Sequence, residues 1–107
     1  MLSLVLSNFP NEEKAASIGR QLVEEGRAAC VNLVPGIRSI YPWDGRLEDT
    51  REVLAIFKVP APAAESFMAR LNELHPYEVP EIIIMAPEAV LPAYAKWAAE
   101  SCGIPER

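Results

Sequence analysis

Apolar residues fall along the chain in short blocks whose spacing switches between two and three or four, and each switch marks an element. Leu2-Ser-Leu-Val-Leu-Ser-Asn8 is a mostly apolar run that stops at the turn signal Asn8-Phe-Pro-Asn11, which predicts a buried strand. Asn11 can cap a helix, and Glu12 and Glu13 then occupy its first turn, where the helix dipole favours anions. Ala15, Ile18 and Leu22, flanked by Ala16, Gly19 and Val23, recur at helical spacing and end at Gly26, so a helix is predicted over 12–25.

From Ala29 to Tyr41 the chain is rich in Val, Leu and Ile and is broken by Pro35-Gly36, the signature of a bulged or bent strand at a sheet edge. Asp44-Gly45 predicts a tight hairpin, because both residues accept the positive φ of a type I′ turn. The returning arm, Arg46 to Val59, is polar in its outer part and apolar from Val53 onward. An arm of that length exceeds what a small domain can cover by itself. Pro60-Ala-Pro62 opens a second helix carrying Ala64, Phe67, Met68, Leu71 and Leu74, which stops at His75-Pro76. Val79 to Ala86 reads as a fourth strand, and a last helix with Tyr94, Trp97, Ala98 and Ser101 on one face follows Pro92 and ends at Gly103. The order β-α-β-β-α-β plus a terminal helix predicts an α+β, ferredoxin-like split β-α-β protomer: one four-stranded antiparallel sheet with two helices on one face.

Composition narrows the partners. The 107 residues suit one domain spanning 1–107. Fifteen acidic against ten basic side chains leave a formal charge of −5, which disfavours nucleic acid as a partner. No apolar stretch approaches the ~20 residues that cross a bilayer, and the apolar start has no basic residue before Lys14, so it does not read as a signal peptide. Cys30 and Cys102 form no CxxC pair, which favours a reducing compartment and a cytoplasmic location. The ten prolines are about twice the ~5% average, yet all but Pro105 fall at boundaries, turns or bends.

The candidate chemistry is sparse. Cys30, in Ala28-Ala-Cys-Val-Asn32, reads either as a small buried hydrophobe or as a soft thiolate ligand for copper. His75-Pro-Tyr-Glu78 is either a helix stop followed by a polar loop or a ligand site stiffened by Pro76 and Pro80. Lys58, in an apolar strand, either snorkels at an edge or pairs with Glu78 or Glu81. Trp43, near the hairpin tip, is exposed unless a partner subunit covers it.

Ala28-Ala-Cys-Val-Asn-Leu-Val-Pro-Gly-Ile-Arg-Ser-Ile-Tyr41, Trp43-Asp-Gly45 and Leu74-His-Pro-Tyr-Glu-Val-Pro-Glu-Ile83 together closely resemble the CutA divalent-cation tolerance proteins. The resemblance covers essentially the whole chain, with departures at Phe9-Pro10, Pro42 and Val59. It implies a tight homotrimer in which the long hairpins pair across subunits, similar in build to the PII signalling proteins. It also implies tolerance of copper or other divalent cations as the function, and no catalytic reaction. The positions that match the family motifs are Cys30, Tyr41, Trp43, Lys58, His75, Tyr77, Glu78 and Glu81, several of which the family gathers around a cleft between subunits. The expected metal ligands are Cys30, His75 and Glu78, with Tyr41, Trp43, Lys58, Tyr77 and Glu81 lining the cleft. Two alternatives accompany this reading: a PII-like regulator that binds a small anion or nucleotide through Lys58, and a trimeric scaffold that anchors another protein.

Overall fold

In the computed structural model, which describes residues 1–104, β1 (Leu2–Phe9) lies in the interior of an antiparallel sheet ordered β2-β3-β1-β4. It pairs with β3 (Arg46–Pro60) on one side and with β4 (Ile82–Met85) on the other, while β2 (Cys30–Trp43) forms the edge beyond β3. This is the split β-α-β arrangement expected from the element order. Pro105 lies outside the described residues.

Helix α1 (Glu12–Glu24) starts where the Asn11 side chain accepts a hydrogen bond from the Lys14 amide at 2.8 Å. It ends at Gly26, whose φ of 72° lets the Arg27 amide turn back to the Leu22 carbonyl at 3.0 Å. Helix α2 (Ala64–Leu74) follows a short 3-10 turn over Ala61–Ala63. Both helices pack on one sheet face. The odd residues of β1 and β3 (Val5, Phe9, Val53, Ala55, Phe57 and Val59) meet Ile18, Leu22, Phe67 and Leu71 there in a continuous buried core. Gly19 sits so close to the sheet that a Cβ would stand 3.1 Å from Val31 Cγ1, so a glycine permits the approach of α1.

The other face is covered only at one corner. Helix α3 (Pro92–Ser101) sets Ala98 against Leu2 and Ala29, with Tyr94 and Cys102 beside them. Val34, Ile83 and Met85 on that face remain exposed.

The hairpin carries the largest departure from a compact outline, giving the protomer extents of 49 × 26 × 21 Å. Asp44 and Gly45, with φ of 53° and 75°, make the tight turn that the Asp-Gly pair predicts. The Pro35-Gly36 bulge is also present. Val34 pairs with Leu54 but Ile37 with Glu52, so β2 advances three residues while β3 advances two. The side-chain alternation of β2 therefore reverses beyond the bulge, and Ser39, Tyr41 and Trp43 point to the same face as Glu52.

Two expectations need correction. The fourth strand is four residues long rather than spanning 79–86. Pro80 has no amide to donate, and the Glu81 carbonyl accepts from Ser7 Oγ at 2.7 Å, so pairing begins only at Ile82. Lys58 is not at an edge: it sits in β3 between Cys30 and Leu4, and among the described residues it forms no ion pair with Glu78 or Glu81.

Candidate functional site

The residues after α2 are fixed by His75. Its ring stacks on Phe9 with centroids 4.5 Å apart and is 8% exposed. Nε2 lies 2.9 Å from the Asn8 carbonyl oxygen and 3.1 Å from Ser7 Oγ, and the Tyr77 amide reaches Nδ1 at 3.1 Å. A carbonyl can only accept and an amide N–H can only donate, so the ring is the neutral tautomer with its proton on Nε2. Burial pushes its pKa below the ordinary histidine value, against the opposing pulls of the Asn8 carbonyl and of Glu52. No lone pair is left for a metal within the protomer. His75 thus anchors the loop to the end of β1.

That anchoring aims Tyr77 across to the hairpin, where its hydroxyl donates to Glu52 Oε2 at 2.5 Å. Burial first, then the bond to the Glu52 carboxylate, pushes the Tyr77 phenol well above the ordinary tyrosine range. Glu52 is only 6% exposed, although it lies at the border between the polar and apolar parts of the arm.

A cleft of about 670 Å³ opens between the arm and the 76–81 segment. Tyr41, Trp43 and Tyr77 supply its aromatic wall, and Glu52, Glu78 and Glu81 supply all the charge among its described lining residues. Five of the sequence candidates therefore meet in one place: Tyr41, Trp43, Tyr77, Glu78 and Glu81. Cys30 and Lys58 do not join them. They face each other in the register opposite Leu4, four residues along β1 from Asn8, which is about 13 Å at 3.3 Å per residue. Cys30 instead lies beside Tyr94 of α3, where burial and the neighbouring thiol raise the Tyr94 phenol. Cys30, His75 and Glu78 are thus not assembled within one protomer, and the described residues include no cluster of three or more His, Cys, Asp or Glu able to hold a metal ion.

Sequence reasoning missed Glu52, Asn8 and Ser39 in the cleft. Glu52 carries one readable signal, an acid immediately before the apolar run Val53–Val59. Asn8 reads in the sequence only as part of a turn.

The sequence model of the CutA1 divalent ion tolerance proteins matches residues 3–101. The chain belongs to the CutA1 family. The CutA of Thermotoga maritima, a divalent-cation tolerance protein, is 45% identical over 98 residues, covering 92% of this chain and 96% of its own. The corresponding Thermus thermophilus protein is 41% identical over 103 residues, covering 96% and 100%. The crystal structure of CutA1 from Pyrococcus horikoshii superposes with a TM-score of 0.89 at 36% identity, covering the whole of both chains. The CutA family is described by ion tolerance rather than by a reaction. Among the described residues of this CutA chain, no helix is long and apolar enough to cross a membrane.

Proposed function

We propose that this chain acts in divalent-cation tolerance as a cytoplasmic homotrimer that binds copper, with the cleft as the place where cations collect. One observation carries this reading: the charge lining the cleft comes from Glu52, Glu78 and Glu81, all acidic. A cleft with one sign of charge and low-dielectric aromatic walls concentrates the opposite ion. Glu78 and Glu81 are exposed and offer oxygen donors to Cu(II), while Cys30, half-buried on the edge strand, offers a separate soft donor. The same lining disfavours an anion or nucleotide, since Lys58 stands outside it.

Support for the trimer comes from the incompletely covered sheet face. Val34, Ile83 and Met85 are exposed there, and Leu47 projects from the long hairpin. The cytoplasmic placement rests on the two free thiols, Cys30 and Cys102.

Copper titration of the purified protein tests the reading, with Cys30→Ser, Glu78→Gln and Glu81→Gln alongside wild type. A weakened affinity in either glutamate variant places the ion in the cleft. Loss in Cys30→Ser alone moves it to the sheet edge. Equal affinity in all four removes these residues as ligands.

A further inference from the structure

We infer that the cleft between the hairpin arm and the 76–81 segment binds a linear aliphatic polyamine, because it sets a buried, uncompensated carboxylate at its base, aromatic faces along its wall and two exposed carboxylates around it. The inference rests on the reading of this cleft as a cation site and extends it from inorganic ions to organic ones.

Glu52 is the starting point. A carboxylate this deeply buried is ordinarily paired with a cation. Its one hydrogen-bond partner among the described residues is the neutral Tyr77 hydroxyl on Oε2, and no Lys or Arg there pairs with it. His75, the nearby ring, is held neutral by its two hydrogen bonds. Glu52 therefore presents a negative charge to the cleft that no described residue of the protomer neutralises. Asn8 Oδ1, in the same lining, is buried and without a hydrogen-bond partner among the described residues, so a second acceptor is waiting for an N–H donor.

The distribution of the charges selects the kind of cation. A metal ion draws its donors around one point at roughly 2.0–2.6 Å. Glu52, Glu78 and Glu81 line one cleft yet do not form such a cluster. Spread carboxylates suit a ligand whose positive charges are themselves spaced along a chain. Between them Tyr41, Trp43 and Tyr77 offer ring faces, which attract ammonium groups and pack against methylene stems. At about 670 Å³ the cleft has room for a triamine or tetramine.

The experiment is calorimetric titration of spermidine into the assembled protein at fixed ionic strength, repeated with magnesium chloride as competitor and with Glu52→Gln and Glu81→Gln. The expected result is saturable spermidine binding that magnesium does not displace and that Glu52→Gln weakens by about tenfold or more. Should Glu52→Gln lose its native circular dichroism, the exposed Glu81→Gln variant decides instead: weakened binding supports the inference and unchanged binding overturns it. Equal displacement by magnesium would also overturn it, because spermidine would then be acting only as a counter-ion. Copper binding without spermidine binding overturns it while leaving the proposed function intact. Spermidine binding without copper binding supports the organic ligand and removes copper.

Discussion

Replacing Tyr77 by Phe isolates the bond on which the geometry of the cleft depends. The ring keeps its shape, so no cavity opens, and the change is confined to the hydroxyl that donates to Glu52 Oε2 at 2.5 Å. Because Glu52 is 6% exposed, water cannot fully replace that donor. Hydrogen bonds to charged groups contribute roughly 1.5–3 kcal/mol, and a buried charged group left without its donor falls toward the upper end. A loss of about 2 kcal/mol can be turned into a melting shift through the unfolding entropy of roughly 2.1 cal/mol/K per residue. Over 107 residues this gives a drop of about 9 °C. Trimerisation does not dilute the shift, since three lost bonds are divided by three times the entropy. Thermal melts at neutral pH, with Tyr41→Phe as control, measure it. The Tyr41 hydroxyl makes no hydrogen bond among the described residues, so its variant should melt within about 2 °C of wild type. A Tyr77→Phe melt equal to that of Tyr41→Phe would refute the reasoning and reduce the Tyr77–Glu52 contact to an incidental one.

Acid should loosen the same loop through His75. Its folded pKa is depressed, so the unfolded chain binds the extra proton first as pH falls, and the contribution of neutral His75 is present above about pH 6.5 and lost below it. Wild type should therefore lose stability between pH 7 and 5 more steeply than His75→Gln, as read in urea melts at each pH; parallel slopes would count against this. Asn11→Ala removes the cap on the Lys14 amide and should cost about 1 kcal/mol in the same assay, with Asn11→Gly costing less. If the exposed apolar residues on the sheet face and hairpin are covered by assembly, the native protein should sediment as a trimer and melt above the ~45–65 °C of ordinary domains. A monomer by sedimentation, or a concentration-independent melt inside that range, contradicts the assembly.

The fold was legible because its local signals agree with one another. Asn11, Gly26, Asp44-Gly45 and Pro60-Ala-Pro62 each punctuate the chain where an element ends or begins, and the apolar periods between them match the faces that the structure buries. The site was legible only where the chemistry is local. His75-Pro-Tyr-Glu78 could be singled out because its residues are adjacent, but its roles could not. The direction of the His75 ring depends on the Asn8 carbonyl, 67 positions away in the chain, and that contact makes it the anchor of its loop. Glu52 was hidden for the same reason. It looks like one more acid on a polar arm until Tyr77, 25 residues later, closes over it. Lys58 misled because a lysine in an apolar strand suggests a nearby acid, whereas β3 carries it to the end of the sheet away from Glu78 and Glu81.

The bulge connects the two levels, and its removal is a sharp test. Deleting Gly36 would leave β2 advancing two residues where β3 advances two, so regular pairing could continue through to the turn. Ile37 would still stand opposite Glu52, so the side chains from Ile37 to Trp43 would keep their faces and the arm would lose only the bend and added twist of the bulge. Ser39, Tyr41 and Trp43 would stay on the face of Glu52, but the straightened arm would carry them to a different distance from the 76–81 segment. The core of Val5, Phe57, Phe67 and Leu71 lies elsewhere and would be untouched. The expected outcome is a folded protein with native far-ultraviolet circular dichroism that binds copper and spermidine more weakly in a cleft whose two walls no longer meet at the native spacing. Unchanged binding by a folded deletion variant would mean that the bend of the hairpin does not set the geometry of the cation site.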